Sequence, residues 1–296
     1  MSVRTRIEVT RLNNVIGAQV HGVDLRAPLR DDTRAEIHDA LMRHSVLFFR
    51  DQDIDDAQQL AFARNFGEPF DPYLDSSAMA PTERLFVTIE DTPESPPKAD
   101  HWHTDVPFRR EPPDIAVLHM RVAPPVGGDT LWASTRALYE RLSPAMQRAL
   151  AGLDTIVGIG TPVKAAYEKD PDAAERFRRL LQEVPPSRHP LVRVHPDTGL
   201  PAVYFPGDEF LRGIDGMHPD ESEAILGVLR KRLDDPNVQC RWQWRRHDVA
   251  MWDERCTNHR ASSDHHPAHR LVRRCLVGCG APTGLDGRTS ADVGGA

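Results

Sequence analysis

Short apolar runs separated by turn-forming residues make up most of this chain, and they exclude a fold built from long helices. Strict alternation over residues 238–245 predicts a strand with one buried face. Prolines break up residues 71–100, which favour a loop region with one short strand at 85–89. We predict further strands at residues 46–49, 115–119, 130–133, 191–195, 202–205, 249–252 and 271–277.

Helical spacing is limited to a few segments. Asp32 is predicted to cap a helix that runs to His44, and a second helix is predicted from Asp56 to Phe66. Residues 219–233 and the charged segment 164–186 also favour helices. Many short strands with few helices predict a mainly β chain with flanking helices and a double-stranded β-helix (jelly-roll) core.

No internal repeat or shift in composition marks a domain boundary, so we expect a single domain over residues 1–281. The Gly-rich tail at 282–296 is predicted to be disordered. The net charge of −7 argues against nucleic acid and anionic membranes as partners. No stretch approaches the ~20 apolar residues of a membrane span, and no signal-peptide pattern opens the chain, so we expect a cytoplasmic protein.

The sequence His103-Thr104-Asp105 is the first indication of chemistry. On an extended segment His103 and Asp105 project to the same side, so one imidazole and one carboxylate converge. A third, distant histidine would complete the two-histidine, one-carboxylate set that leaves positions open on ferrous iron for a 2-oxoacid and dioxygen. By itself the spacing is a weak signal, because His-x-Asp often occurs by chance.

Longer motifs surround this pair and carry a family resemblance. They include the segments 48–52 (FFRDQ), 66–68 (FGE), 102–108 (WHTDVPF), 127–132 (GGDTLW), 248–253 (DVAMWD) and 257–261 (TNHRA). From residue 7 to about 280 the chain resembles the taurine dioxygenase (TauD/TfdA) family of Fe(II)- and 2-oxoglutarate-dependent oxygenases. The resemblance implies a jelly-roll oxidoreductase that uses Fe(II), 2-oxoglutarate and O2 and forms a homo-oligomer, either a dimer or a tetramer.

The same resemblance assigns site residues. His103, Asp105 and His259 match the family's iron ligands and thus its catalytic centre. Arg270 and Thr130 match the positions that hold the far carboxylate of 2-oxoglutarate, for which the planar fork of an arginine is well suited.

A second arginine points to the substrate. If residues 271–277 form a strand, Arg274 shares a face with Arg270, whereas Arg273 faces the other way. The family places the acidic group of the substrate at the position of Arg274. We therefore expect hydroxylation of a small anionic substrate, such as a sulfonate, a sulfate ester or a carboxylate, while 2-oxoglutarate is decarboxylated to succinate.

The chain departs from the taurine-specific pattern at two places. Ala99 stands where those proteins have an asparagine, and their substrate-binding histidine is replaced near Asp71 and Tyr73. Asp71 and Tyr73 are therefore candidate substrate contacts, and taurine is a doubtful substrate.

Two other functions stay open at this point. One is a biosynthetic hydroxylase or desaturase that acts on an amino-acid-derived acid at the same site. The other is a non-catalytic protein that binds a small acid or a metal. The remaining cluster, His265, His266 and His269, lies in a proline-containing loop before Arg270 and is expected at the rim of the cavity rather than at the metal.

Overall fold

The structure, a computed structural model, describes residues 7–72, 79–159 and 182–294. Most of its regular structure is β, which confirms the prediction of a mainly β chain with flanking helices. The strands are β1 (Glu8–Arg11), β2 (Ala18–His21), β3 (Val46–Phe49), β4 (Pro69–Phe70), β5 (Phe86–Asp91), β6 (Pro113–Val122), β7 (Thr130–Ser134), β8 (Asp154–Val157), β9 (Ser187–Pro190), β10 (Val192–Val194), β11 (Pro201–Val203), β12 (Leu211–Ile214), β13 (Gln239–Trp242), β14 (Val249–Asp253), β15 (Thr257–Ala261), β16 (Arg270–Cys279) and β17 (Ala291–Asp292). The helices are α1 (Asp31–His44), α2 (Asp56–Ala63), α3 (Thr135–Glu140), α4 (Pro144–Leu150) and α5 (Pro219–Leu233), with short 3-10 turns at Glu83–Leu85 and Pro236–Val238.

The chain divides into two compact units, and each is assembled from three separate stretches. The first unit comprises Met1–His101, Pro113–Ser134 and Pro236–Cys279. The second unit comprises Trp102–Pro112, Thr135–Asp235 and Gly280–Ala296. The expectation of a single domain over residues 1–281 stays a prediction.

The first unit contains two sheets that pack against each other. The larger has the order β1-β2-β3-β14-β6-β16-β4, with β5 also paired to β16, and the smaller has the order β13-β7-β15. Aromatic side chains join them: Phe48 of β3 stacks on Trp242 at 4.1 Å, and Trp132 of β7 meets Trp252 of β14 at 5.6 Å. Two packed, mostly antiparallel sheets are the arrangement expected of the jelly-roll core.

The other face of the larger sheet carries the hydrophobic core and the two N-terminal helices. Alternate residues of β3 and β14 point into it, including Leu47, Phe49 and Met251, and side chains of α1 and α2 cover them. The helix boundaries differ from the prediction. The N-cap of α1 is Arg30, and Asp32 lies inside the first turn, where its charge favours the helix dipole, so Asp32 is not the cap.

Helix α2 also ends earlier than predicted, at Ala63 rather than Phe66. The side-chain amide of Asn65 donates to the carbonyl oxygens of Ala61 and Phe62 at 2.9 and 3.0 Å. These bonds satisfy carbonyl groups that a further helical turn would otherwise use, and they close the helix before Gly67.

The second unit contains a four-stranded sheet of order β12-β8-β9-β17 and the predicted hairpin of β10 and β11. Strand β17 lies in the tail that we expected to be disordered, and that expectation is wrong for residues 282–294. Polar side chains fix this segment, because Arg288 pairs with Asp154 at 2.7 Å and Ser290 bonds to the buried His189 at 2.6 Å. Most of the predicted helical segment 164–186 lies outside the described residues.

None of the helices in the described part of the chain has the length and the apolar character needed to cross a membrane.

Candidate active site

His103 and Asp105 lie in a short extended segment of the second unit, where both are largely buried, at 9% and 4% exposure. His103 forms an isolated β-bridge with Gly207. A Cβ at Gly207 would lie 2.9 Å from the Cβ of His103, so a glycine is needed for this approach. Directly after Asp105, Val106 has a φ of 47°, a strained value for a β-branched residue. Such strain is characteristic of functional sites.

His259 is on β15 in the first unit, paired in register with Trp132 of β7. Its ring lies 4.9 Å from that of Trp252, and its Nδ1 is 4.0 Å from Oε1 of the buried Glu254. Trp252 donates its indole N–H to the same Glu254 oxygen at 2.6 Å, which fixes the carboxylate in place. A carboxylate next to one ring nitrogen is the usual outer partner of a metal-bound imidazole.

His103 and Asp105 offer one imidazole and one carboxylate from the second unit, and His259 offers a second imidazole from the first. Two imidazoles and one carboxylate are the donor set of non-haem Fe(II) oxygenases. The chemistry of the three residues that the sequence indicates thus fits ferrous iron. Their role as ligands stays a prediction.

Arg270 is the first residue of β16 and is only 3% exposed. Its Nη1 is 3.5 Å from Oδ2 of Asp91, its register partner on β5. The same oxygen is 3.2 Å from Nε2 of His265, whose Nδ1 is 3.2 Å from the carbonyl oxygen of Ser262. Burial lowers the pKa of Arg270, and the carboxylate of Asp91 opposes that shift.

The glycine turn before Thr130 packs directly against Arg270. Gly128 has a φ of +69°, and a Cβ added there would lie 3.3 Å from Cδ of Arg270. Thr130, 4% exposed, accepts a hydrogen bond of 2.9 Å from Nε1 of Trp244. Nε of Arg270 is buried and has no hydrogen-bond partner among the described residues. A buried donor without an acceptor fits the binding of a carboxylate at this position.

Arg273 and Arg274 of β16 lie on opposite faces of the sheet, as predicted. Arg273 pairs with Asp56 at 2.7 Å and lies over the ring of Phe86, so it belongs to the helix-covered face of the sheet. Arg274 lies on the opposite face with Arg270. Its register partners on the neighbouring strands are the apolar Val87 and Leu118. This face of the sheet therefore presents the positive charge of Arg274 next to apolar side chains.

The remaining predicted substrate residues are less informative. Asp71 is half-buried and directly follows β4, whose Phe70 pairs with Leu276 of β16. Tyr73 lies outside the described residues. The carbonyl oxygen of Ala99 accepts a 2.7 Å hydrogen bond from the amide of Ala261, at the end of the strand that carries His259.

Sequence reasoning missed four residues of this region: Asp91, Trp244, Glu254 and His265. The alternation over residues 238–245 predicts Trp244 only as a buried strand residue, whereas the strand ends at Trp242. His265 was expected at the cavity rim, yet its side chain is fully buried against Asp91. Its proximity in sequence to Arg270 was the available signal, whereas Asp91 offered none.

Comparison with known proteins gives a consistent result. Residues 8–276 match the model of the family described as "Taurine catabolism dioxygenase TauD, TfdA family". The chain is 32% identical to an alkylsulfatase of Acinetobacter baylyi over 288 residues, which cover 95% of this chain and 88% of that protein. It is 36% identical to an alpha-ketoglutarate-dependent sulfate ester dioxygenase of Pseudomonas putida over 283 residues, with 93% and 90% coverage.

A solved structure gives the same picture in three dimensions. A taurine dioxygenase from Burkholderia xenovorans superposes with a TM-score of 0.82 at 33% sequence identity. The match covers 98% of this chain and 95% of that one. The similarity thus extends over the whole fold and includes every segment that carries a predicted site residue.

Proposed function

This chain belongs to the TauD, TfdA family of dioxygenases, and from that membership we propose that it oxidises a small sulfate ester, with 2-oxoglutarate and O2 as cosubstrates. The observation that carries the proposal is that His103, Asp105 and His259, which supply the two imidazoles and the carboxylate of a ferrous site, are all buried, at 9%, 4% and 5% exposure. We assign these three residues to Fe(II). When bound, this ion supplies open coordination positions and the oxidising chemistry.

The chain's own residues hold and orient the reactants. Glu254 places a carboxylate oxygen 4.0 Å from Nδ1 of His259, and its charge favours the ring orientation in which this nitrogen faces the carboxylate. Arg270 and Thr130 are assigned to the far carboxylate of 2-oxoglutarate. This assignment is supported by Nε of Arg270, which is buried and has no acceptor among the described residues. Asp91 holds Nη1 of the same guanidinium and thereby limits its rotation.

The substrate assignment rests on Arg274 and its surroundings. A guanidinium binds a sulfate group well, and Val87 and Leu118 on the same sheet face are suited to an alkyl chain. The similarity to the Acinetobacter alkylsulfatase and the Pseudomonas sulfate ester dioxygenase supports the same substrate class. Asp71 and Tyr73 remain candidates for additional contacts to the substrate.

The reaction balances as follows. One oxygen atom of O2 enters succinate as 2-oxoglutarate loses CO2, and the other becomes a hydroxyl on the carbon that bears the sulfate oxygen. That carbon then loses its C–O bond to sulfate, and the hydroxyl proton leaves as the aldehyde forms. One sulfate, one aldehyde, one succinate and one CO2 are produced for each O2. Arg274 holds the sulfate so that this carbon, rather than a more distant one, faces the oxidant.

A product balance tests the proposal. Fe(II)-loaded protein is incubated with 2-oxoglutarate, O2 and primary alkyl sulfates of two to eight carbons, with taurine in parallel, and succinate and sulfate are measured. We expect equal amounts of succinate and sulfate, with alkyl sulfates preferred over taurine. Arg274→Met should lower kcat/KM for alkyl sulfates by on the order of 100-fold, since a charged hydrogen-bonded contact is lost.

Arg273→Met is the matched control, because Arg273 belongs to the other face of β16. It should leave kcat/KM unchanged. Succinate formation that no sulfate ester stimulates would refute the substrate assignment. The family membership favours an enzyme over a non-catalytic binding protein, and no contact of the described residues favours the amino-acid-derived substrate.

We also propose a cytoplasmic location and a homo-oligomeric state, a dimer or a tetramer. Light scattering on the purified chain tests the oligomeric state, and a mass equal to one chain would refute it.

A further inference from the structure

The hydroxyl of Thr130 has a defined hydrogen-bond direction. Its Oγ1 is 2.9 Å from Nε1 of Trp244, and the two residues are 4% and 5% exposed. An indole N–H can only donate, so the threonine oxygen accepts this bond. The single hydroxyl proton of Thr130 is therefore left to donate to a different acceptor. Within residues 7–72, 79–159 and 182–294, no such acceptor bonds to it.

A second unused donor lies nearby. Nε of Arg270 is buried and has no hydrogen-bond partner in the described part of the chain. Gly128, two residues before Thr130, is close enough that a Cβ there would lie 3.3 Å from Cδ of Arg270. Two buried donors on adjoining elements, each without an acceptor among the described residues, favour the binding of an anion that accepts from both.

We propose that Trp244 is a positioning residue that makes Thr130 a hydrogen-bond donor to the far carboxylate of 2-oxoglutarate. This inference rests on the proposed function. Without the indole N–H, the hydroxyl of Thr130 can rotate between donating and accepting, and part of its affinity for the carboxylate is lost. When the indole N–H is present, the carboxylate of 2-oxoglutarate faces only hydrogen-bond donors. This arrangement disfavours a cosubstrate whose far end is an amide, because the amide N–H groups would face other donors.

Trp244 also contributes to packing, because its ring lies 6.2 Å from that of Trp132. Phenylalanine at this position keeps a six-membered aromatic ring and removes the donor together with part of the indole's volume. Trp242 provides a matched control on the same stretch of chain: it is similarly buried, and its indole N–H donates to Oδ2 of Asp248 at 3.2 Å rather than to Thr130. Trp242→Phe thus removes a comparable hydrogen bond from a different place.

The test is a double-mutant cycle on cosubstrate binding without turnover. The dissociation constant of 2-oxoglutarate is measured by anaerobic calorimetry on the full chain loaded with Fe(II). Trp244→Phe should raise it about fivefold to tenfold, the usual contribution of one buried hydrogen bond. Trp242→Phe should leave it unchanged. In a Thr130→Val background, Trp244→Phe should have no further effect, because the hydroxyl on which it acts is gone.

Thr130→Ser keeps the hydroxyl, so in that background Trp244→Phe should again raise the dissociation constant. The same increase in both Thr130→Val and wild type would overturn the proposal, since it would show that Trp244 acts by packing alone. An unchanged constant in Trp244→Phe would overturn it as well. Wild-type protein that does not bind 2-oxoglutarate with Fe(II) would refute the proposed function itself, and the role of Trp244 with it.

Discussion

His119 is a buried histidine whose replacement should change how the stability of the protein depends on pH. It lies on β6, is 0% exposed, and neither ring nitrogen has a hydrogen-bond partner among the described residues. Burial lowers its pKa from 6.5 to about 3, and the charge of Arg121 adds to that shift. In the folded protein the ring is therefore neutral down to acidic pH.

The direction and size of the effect follow from these pKa values. Below pH 6.5 the unfolded chain binds a proton at His119, but the folded chain does not until about pH 3, so stability is lost as the pH falls. Each pH unit inside this window corresponds to about 1.4 kcal/mol. Between pH 7.5 and 5.0 the contribution of His119 amounts to about 2 kcal/mol. His119→Leu has no titrating group and should lose about 2 kcal/mol less than wild type over that interval.

Urea unfolding of the metal-free protein at both pH values, followed by circular dichroism, measures this difference. At pH 7.5 the variant should be at least as stable as wild type, because an unsatisfied buried polar group is removed. Met120→Leu, on the same strand, should keep the full pH dependence. Some dependence remains in every variant, because the pKa of the buried His189 is also lowered to about 3. Equal losses in His119→Leu and wild type would refute the reasoning.

Three further substitutions test other parts of the site. Gly128→Ala should destabilise the fold by about 1–3 kcal/mol and weaken 2-oxoglutarate binding, because the alanine would have to adopt a φ of +69° and its Cβ would crowd Arg270. An unchanged thermal unfolding temperature would contradict this prediction. Glu254→Gln removes the charge next to His259 and should weaken Fe(II) binding about 10- to 100-fold in anaerobic chelator competition, whereas unchanged affinity would exclude that role. Arg270→Met should weaken 2-oxoglutarate binding on the order of 100-fold in calorimetry while Fe(II) stays bound, and normal cosubstrate affinity would reassign the arginine.

Local sequence patterns predicted strands well where a single pattern, either a continuous apolar run or a strict alternation, determines the strand. The continuous apolar run of β3 has the predicted bounds, Val46–Phe49. The alternation of β16 correctly separated Arg270 and Arg274 from Arg273, because side chains of a strand alternate strictly between faces. Only the resemblance predicts that the distant segments 103–105 and 259 share one metal site, because no local rule relates them.

Contacts between distant residues could not be predicted in this way. Asp91 lies 179 residues before Arg270 and becomes its neighbour only through the pairing of β5 with β16. The alternating pattern predicts Trp244 only as a buried strand residue, although β13 ends at Trp242. Its further role depends on the position of its indole N–H opposite Thr130. The tail was misjudged for the same reason, since its composition does not indicate that β17 pairs with β9.

In the proposed site, His103, Asp105 and His259 together hold one ferrous ion to which 2-oxoglutarate binds. Anaerobic titration of the purified chain with Fe(II) and 2-oxoglutarate, followed in the visible spectrum, tests it directly. We predict a weak charge-transfer band that saturates at one Fe(II) per chain and is lost in His103→Ala and His259→Ala. Folded wild-type protein without the band, or either variant with a full band, would contradict the assignment.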